Sequence, residues 1–397
     1  MEDIPDKQGS PYRGPRGASP VRLRKHNERM ILTMLRDHGP LSGSEIAKAL
    51  QLSAQAVSVI IRALDEQNLL LKLPPRKGKV GKPQRPVALN PKGAYSFGLR
   101  IGRRSADLAL VDLSGTVVAR NTIRHSYPTP DRIRAFCGDG LATLQSKLPP
   151  EERGRILGLG IAAPHELWNW LDALGAPASE AAKWTGYDFA GAFVDITDLP
   201  VTVANDVNLA CTGELLFGAD PSLQDFIYFY VGSFVGGAIV LNGRVFHGAG
   251  GNAGAFGSIP SGSMSDPNAQ LIRTASLYAL EHQIPGQGNI RADPDLWEEA
   301  RPQVLCWMEE ATASTARAAL SVVAALDVTT IMIDGVFPPD IKAEFTAMLA
   351  RTCGQLDLQG IRPPDVRVGT LGDRAGMLGA AYQPLLEQVF VEGSALA

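Results

Sequence analysis

The chain has 397 residues, of which 45% are hydrophobic, and a formal net charge of −3. That length suggests two or three globular units with substantial cores. No apolar run follows the charged N-terminus, and none elsewhere is long and uncharged enough to span a bilayer. We therefore expect a cytoplasmic protein that is neither secreted nor inserted in a membrane. The four cysteines have no C-x-C or C-x-x-C spacing. We therefore predict buried free thiols at Cys137, Cys211, Cys306 and Cys353.

The charge is distributed unevenly along the chain. Residues 1–92 carry 17 Lys and Arg against 8 Asp and Glu, a net charge of +9, whereas the remainder carries −12. A basic module joined to an acidic body predicts that attraction to nucleic acid is confined to the N-terminal part. Residues 1–20 are rich in Pro, Gly and charge, and are expected to form a disordered tail.

Residues 21–91 are predicted to form a winged helix-turn-helix domain. A first helix over Arg24–His38 ends at a Gly-Pro step. Ser42 and Glu45 form a capping box for a second helix. Ser53 can cap a third helix, in which apolar residues recur at the spacing of a buried helical face. These residues are Val57, Ile60, Ile61 and Leu64.

The opposite face of the third helix is predicted to read DNA. It carries Gln55, Ser58, Val59 and Arg62, and Ser53 precedes it. Small and amide side chains near the N-terminus of such a helix are of the type that contacts base edges in the major groove. The alternative is an ordinary solvent-exposed face. The helix spacing, the basic flank and the hairpin that follows favour recognition.

A basic hairpin follows, with strands over Leu69–Leu73 and Val87–Leu89. From Lys72 to Lys92 there are seven basic residues and no acidic one. We interpret this segment as a wing; a solvated linker is the alternative. Its Gly-Lys-Pro step is similar to the Gly-Arg-Pro core that enters A/T-rich minor grooves. The residues predicted to neutralise phosphates are Lys77, Lys79, Lys82 and Arg85.

Beyond residue 91 the pattern changes to that of an α/β fold. A helix is predicted over Asp131–Leu148, and a loop over His165–Tyr187 contains Trp168, Trp170 and Trp184. These tryptophans either stack on a pyranose ring or belong to the core. Strands are predicted over Ser96–Gly102, Asp107–Asp112, Thr116–Arg120, Ile156–Ala162 and Val201–Ala204.

A polar pair and two glycine-rich segments follow the last of these strands. Asn205 and Asp206 precede a helix over Val207–Phe217; an amide beside a carboxylate suits the vicinal hydroxyls of a polyol, although either residue could cap the helix. Downstream, strands are predicted over Phe226–Val231 and Ala238–Leu241. The glycines at 232, 236 and 237, and those between 248 and 257, either form tight turns or let backbone N–H groups approach a ligand.

Together, Val201–Gly218 and Phe226–Gly257 resemble the sugar-handling core of the ROK family, which contains bacterial sugar kinases and sugar-responsive transcriptional repressors. The resemblance implies a two-lobed actin-like (RNase H-like) sugar-kinase fold of the α/β class. Residues 92–206 would form its first lobe, and residues 207–397 would form its second lobe with the dimerisation surface, the C-terminal helix returning to the first. The implied effector-binding residues are Asn205, Asp206, Gly236, Asn252, Ala255 and Ser258.

The sequence departs from the family's kinases at the phosphate-binding turn. Kinases carry Asp-x-Gly-Gly-Thr there, whose glycines wrap the ATP phosphates and whose acid helps to place Mg²⁺. This chain has Arg100-Ile101-Gly102-Arg103-Arg104. Phosphoryl transfer depends on positioning and charge neutralisation around the metal, so loss of this turn predicts loss of activity. The arginines are interpreted as a surface cluster, with a site for a phosphorylated effector as the alternative.

Further departures lie in the second lobe. Ala255 and Ser258 replace a sugar-binding glutamate and histidine of the family, and Asp334-Gly335 replaces a Gly-Gly step that borders the nucleotide. Residues 261–270, which replace the family's cysteine-rich zinc loop, contain no cysteine or histidine. Zinc needs four N, S or O ligands. We therefore expect no catalytic residue, no bound metal and no cofactor.

The sequence thus predicts a ROK-type transcriptional regulator of carbohydrate metabolism or transport genes. A repressor is favoured, although an activator would use the same parts. It would bind a palindromic operator in double-stranded DNA as a homodimer or higher homo-oligomer, and would sense a small carbohydrate. Two alternatives stay open: an active ATP-dependent sugar kinase with a DNA-binding domain, and a DNA-binding protein that senses no ligand.

Overall fold

The computed structural model describes residues 20–75, 85–169, 171–220, 222–261, 269–285, 290 and 293–391. The chain divides into two compact units, one comprising residues up to Gly93 together with those from Val389 onward, and the other comprising Ala94–Gln388. The predicted tail, apart from Pro20, lies outside the described residues, as does the tip of the predicted wing. Within the described ranges, no helix is long and apolar enough to cross a membrane.

The smaller unit has the predicted order of three helices and a hairpin. Its elements are α1 (Pro20–His38), α2 (Gly43–Ala49), α3 (Ala54–Glu66), β1 (Leu70–Lys72) and β2 (Val87–Leu89). The capping box is present, since Ser42 Oγ accepts from the Glu45 N–H and the Glu45 carboxylate accepts from the Ser42 N–H at 2.7 Å. Ser53 caps α3 by accepting from the Ala56 N–H at 3.1 Å.

The core of this unit is formed by one face of α1 and one face of α3. Met30, Ile31, Met34 and Leu35 of α1 are buried. Val57, Ile60 and Leu64 of α3 are buried as well, and Ile61 is half-buried. Backbone hydrogen bonds in both directions between Leu41 and Val87, at 3.0 and 2.8 Å, attach the α1–α2 connection to the hairpin. The predicted periodicity of the third helix therefore identifies the face that it packs into this core.

Two five-stranded sheets organise the described part of the larger unit. The first has the order β5-β4-β3-β6-β7, in which β3, β4 and β5 are antiparallel and β6 and β7 continue in parallel. Its strands are β3 (Tyr95–Ile101), β4 (Ser105–Asp112), β5 (Val117–Arg124), β6 (Ile156–Ala163) and β7 (Val201–Asn205). The accompanying helices are α4 (Pro130–Gln145), α5 (Ala178–Ala182), α6 (Phe189–Ala192) and α7 (Asp206–Phe217). We call this part the first lobe.

The second sheet repeats the same arrangement in the order β10-β9-β8-β11-β12. Its strands are β8 (Phe226–Val231), β9 (Val235–Leu241), β10 (Arg244–Val245), β11 (Thr330–Gly335) and β12 (Asp365–Val368). The accompanying helices are α8 (Leu271–Thr274), α9 (Leu277–Gln283), α10 (Leu296–Glu299), α11 (Arg301–Leu326), α12 (Pro339–Gln355) and α13 (Ala375–Val389). We call this part the second lobe. The repeated order confirms the predicted two-lobed fold class.

Helices α7 and α13 connect the two lobes. Helix α7 contacts strands of both sheets, so the lobe boundary placed at residue 206 stays a prediction. Helix α13 lies against the first sheet so closely that a Cβ on Gly98 would stand 2.2 Å from the backbone nitrogen of Ala381. The Tyr382 hydroxyl donates to the Leu113 carbonyl at 3.0 Å, which attaches α13 to the β4–β5 connection.

Two expectations about the second lobe require correction. Strand β9 begins at Val235, so Gly236 and Gly237 lie within a strand rather than in a loop. Cys306 is exposed, because it lies on the solvent side of α11, whereas the other three cysteines are buried as predicted. The turn between β9 and β10 has positive φ at both central residues, 53° at Asn242 and 67° at Gly243, as a type I′ turn requires.

Candidate functional site

A cavity of about 830 Å³ lies between the first and second lobes. The first lobe contributes the loop after β6, the start of α7 and Arg103. The second lobe contributes the β8–β9 turn, the first residues of β9 and the loop that ends in the short 3₁₀ helix Phe256–Ser258. All six predicted effector-binding residues line this cavity, namely Asn205, Asp206, Gly236, Asn252, Ala255 and Ser258. The fold therefore brings them together; their role stays a prediction.

Asn205 and Asp206 have different local roles at the start of α7. Asn205 is the N-cap, and its side-chain oxygen accepts from the backbone N–H groups of Val207 at 3.0 Å and Asn208 at 3.1 Å. Asp206 is the first helical residue and is half-buried. Burial raises the pKa of its carboxyl group, and the positive charges of Arg100 and Arg103 oppose that shift. Asn205 thus provides the side-chain cap, and Asp206 lines the cavity.

On the cavity wall contributed by the second lobe, the side chains of Ala255 and Ser258 can form few hydrogen bonds. Ala255 presents a methyl group and Ser258 a single hydroxyl where the family resemblance predicts a carboxylate and an imidazole. Gly254 fixes this loop, since its φ is +83° and a Cβ there would stand 2.6 Å from the Cα of Ala238. The buried Phe256 packs on Phe229 with ring centroids 4.7 Å apart. The hydrogen-bonding side chains on this wall are therefore those of Asn252, Ser258 and Gln270.

Arg103, which was interpreted as part of a surface cluster, lines the cavity. Its Nη1 donates to the Asn169 carbonyl at 2.9 Å and to the Leu167 carbonyl at 3.3 Å. Its guanidinium carbon lies 4.6 Å from the centroid of the Phe234 ring. Burial lowers the pKa of Arg103 to about 10, and the negative charge of Asp206 opposes that shift. The resemblance to a phosphate-binding turn was the available signal, because such a turn faces the cleft.

The interpretation of the arginines as a surface cluster is wrong for Arg100. It is buried, with 7% of its surface exposed, and its Nη1 pairs with Asp107 Oδ2 at 3.1 Å. Its side chain packs on Gly376, where a Cβ would stand 3.0 Å from the Arg100 Cδ. A buried, paired cation therefore occupies the position of the acid that helps to place Mg²⁺ in the resembling kinases.

A second buried ion pair joins the end of β11 to α12, beside the loop that follows β12. Asp334 is fully buried, and its Oδ1 accepts from Lys342 Nζ at 2.6 Å. The same ammonium donates to the Gly369 carbonyl at 2.7 Å. The Tyr228 hydroxyl and the Gly372 N–H both donate to Asp334 Oδ2 at 3.0 Å. The side chain that replaces a glycine of the family thus fills this region with its own hydrogen bonds.

The three tryptophans between β6 and α6 differ in position. Trp168 lines the cavity and is half-buried. Trp184 belongs to the core, with 1% of its surface exposed and its Nε1 donating to the Pro128 carbonyl at 3.0 Å. Trp170 lies outside the described residues. Trp168 is therefore the candidate for stacking on a sugar ring, and Trp184 is not.

The predicted DNA-reading face of α3 is exposed. Gln55, Ser58 and Arg62 lie on the side opposite the buried residues, and Val59 between them has 52% of its surface exposed. Ser53 is exposed at the start of the helix, with its hydroxyl engaged in the cap. Arg85 is exposed beside β2. The other predicted phosphate contacts, Lys77, Lys79 and Lys82, lie outside the described residues.

Among the described residues, no group of three or more His, Cys, Asp and Glu side chains is arranged to hold a metal ion. Most of the segment that replaces the family's zinc loop, residues 262–268, lies outside the described part of the chain.

Comparison with protein families and curated proteins gives matches to both units. The ROK family matches residues 96–384, and the MarR family matches residues 25–77. Protein y4fQ of Sinorhizobium fredii is 26% identical over 369 residues, 92% of each chain. The xylose repressor of Bacillus spizizenii is 24% identical over 59% of this chain and 60% of its own. The transcriptional dual regulator NagC of Escherichia coli is 25% identical over 60% of this chain and 58% of its own. The chain thus spans less than two thirds of these two regulators.

Two solved structures share the fold of this chain to different extents. A ROK family transcriptional regulator, described as a homologue of the E. coli MLC protein, has a TM-score of 0.68 at 20% identity and covers 92% of this chain and 98% of its own. A ROK hexokinase from Thermus thermophilus has a TM-score of 0.54 at 22% identity and covers 74% of this chain and 98% of its own. The shared fold therefore extends over more of this chain in the regulator than in the hexokinase.

Proposed function

The chain belongs to the ROK family, and from this membership we propose that it is a sequence-specific DNA-binding transcriptional regulator, in the sense of a repressor, of carbohydrate metabolism or transport genes. The observation that carries the proposal is the union of two parts in one chain: an N-terminal winged helix with an exposed polar face on α3, and a ROK body. The MarR-like match over residues 25–77 supports the first part.

The proposed DNA contact places α3 in the major groove. Gln55, Ser58 and Arg62 would contact base edges, and Arg85 at the base of the hairpin would contact a phosphate. The net charge of +9 on residues 1–92 favours attraction to the phosphate backbone, whereas the remainder, at −12, does not. The DNA-binding face is therefore assigned to the smaller unit.

The proposed effector is a small carbohydrate bound in the cavity between the lobes. Asp206 supplies a carboxylate at the N-terminus of α7, and Trp168 supplies an aromatic surface. The carboxylates of Glu166, Asp172 and Asp206 outnumber the guanidinium of Arg103 on the cavity wall. This charge balance favours an uncharged sugar over a phosphorylated one.

Two observations support a body without kinase activity. The buried pair of Arg100 and Asp107 stands at the phosphate-binding turn, and the buried pair of Lys342 and Asp334 joins the end of β11 to α12. Phosphoryl transfer needs a site that admits nucleotide phosphates and Mg²⁺ and neutralises their charge. Neither pair leaves an acidic side chain free to place the metal at these two positions.

Selection of DNA by the full chain from a random duplex library tests the proposal. We expect enrichment of one palindromic sequence, and we expect an uncharged sugar from a panel of sugars and sugar phosphates to change its affinity. Arg62→Ala should relax sequence preference by ~1–3 kcal/mol, whereas Arg85→Ala should weaken binding to all duplexes and reduce the salt slope by ~1. Arg134→Ala, in the first lobe, is the matched control and should bind as the parent does. Failure to enrich any sequence would overturn the proposal.

A further inference from the structure

The turn between β3 and β4, residues Gly102–Arg104, contacts the opposite lobe through both of its arginines. The Arg103 guanidinium lies over the Phe234 ring at 4.6 Å, and Arg104 Nη2 lies 3.9 Å from Glu281 Oε2. We propose that this arginine turn fastens the first lobe to the second, so that Arg103 and Arg104 are positioning residues that keep the cavity in its closed form. The inference goes beyond the proposed function and does not depend on the identity of any ligand.

The arginine turn is fixed to the first lobe by several hydrogen bonds. Arg103 donates to the Leu167 and Asn169 carbonyls of the cavity loop. Arg104 Nη1 donates to the Ser126 carbonyl at 3.3 Å, and the Arg104 carbonyl accepts from the His125 N–H at 3.1 Å. Each guanidinium thus donates hydrogen bonds to the first lobe. Arg103 turns its face, and Arg104 an edge, towards the second lobe. That arrangement suits a bridge, because a planar guanidinium can donate and stack at the same time.

The contact points on the second lobe form one rigid surface. Phe234 packs on Tyr278 of α9 with ring centroids 5.3 Å apart. The N–H of Tyr278 donates to the Ser233 carbonyl at 3.1 Å, which attaches α9 to the β8–β9 turn. Glu281 lies on the same helix, three residues after Tyr278. Phe234 and Glu281 must therefore move together, and both arginines bind a single body.

The ion pair is largely shielded from solvent, and Arg103 and Phe234 are each half-buried. The side chains of Arg104 and Glu281 are 23% and 9% exposed. Charges in such positions are screened little by salt, and a desolvated cation–π contact is stronger than an exposed one. Lobe closure in this chain would then be maintained by protein side chains. Since Arg103 also lines the cavity, a ligand that displaces it would weaken the same bridge.

Distance measurement between two spin labels tests this inference. Cys306 on α11 is exposed while the other three cysteines are buried, and Val118 on β5 is 40% exposed. Labels on Cys306 and on a Val118→Cys variant would therefore report the distance between the lobes. We expect a narrow distribution in this parent. In the Arg103→Ala, Arg104→Ala double variant we expect a broader distribution with a longer mean.

The controls separate bridging from general destabilisation. Arg134→Ala removes a pair with Asp195 that lies wholly within the first lobe, at 2.8 Å, and should leave the distribution unchanged. Phe234→Leu combined with Glu281→Gln removes the same contacts from the second-lobe side and should reproduce the broadening, even if the arginine variant does not fold. If both double variants gave the same distance distribution as the parent, the inference would be overturned. The proposed function would still stand, because selection of DNA tests it separately.

Discussion

The buried pair of Lys342 and Asp334 permits a quantitative prediction. Replacing the lysine in Lys342→Met keeps a long unbranched side chain but leaves the Asp334 carboxylate without its cation. Asp334 has no exposed surface and Lys342 is 6% exposed, so water cannot replace the lost partner without a rearrangement. Removal of one member of a buried ion pair typically costs about 3–5 kcal/mol, because the other charge stays buried and uncompensated.

The remaining contacts of Asp334 place the expected cost at the low end of that range. The carboxylate keeps neutral donors from the Tyr228 hydroxyl and from the Gly372 N–H. The Gly369 carbonyl, however, also loses the ammonium donor. We therefore expect Lys342→Met to lower the free energy of unfolding of the larger unit by about 3 kcal/mol. Combining it with Asp334→Asn, which removes the unpaired charge, should restore part of that loss.

Urea unfolding followed by tryptophan fluorescence is a suitable assay. All five tryptophans lie in the larger unit, so the signal reports that unit. Lys183→Met is the matched control, because Lys183 pairs with Glu180 on the surface of the first lobe at 2.8 Å, and its unfolding midpoint should hardly change. The reasoning would be refuted if Lys342→Met and Lys183→Met unfolded at the same urea concentration. It would also be refuted if adding Asp334→Asn to Lys342→Met lowered the free energy of unfolding further.

Three other predictions concern the cavity, the chemistry and the thiols. Asp206→Asn should weaken binding of the active sugar by roughly 10- to 150-fold, because a charge-assisted hydrogen bond of ~1.5–3 kcal/mol is lost. Operator affinity in the absence of sugar should be unchanged. A sugar titration of the operator complex that matches that of the parent would contradict this prediction. The purified chain should release no ADP with common hexoses and contain no stoichiometric zinc, as measured by a coupled assay and elemental analysis. A maleimide at neutral pH should label the exposed Cys306 in the folded chain and leave Cys137 unlabelled. Burial raises the pKa of the Cys137 thiol to about 12 and so keeps it protonated. Rapid labelling of Cys137 would contradict the described packing.

Much of the fold follows from local patterns in the sequence. The apolar spacing in α3 and the Ser42–Glu45 capping box depend on neighbours within one or two turns, and the structure confirms both. The six effector-binding candidates, which the family resemblance implied, line one cavity. Such features can be predicted because helical and strand periodicities are short-range properties of the chain.

The tertiary structure decided which charges are buried and what they contact. Arg100 and Asp334 are charged residues near the ends of apolar strands, and each is buried beside a partner contributed by another element. Arg103 meets Phe234 only because the two lobes close over the cavity. Burial and ion pairing depend on how separate elements pack, and a pattern within one element carries no information about the partner. The sequence by itself therefore determined the class of fold and the place of the cavity, while packing between the lobes determined the charges that line it and those that fill the family's nucleotide-binding region.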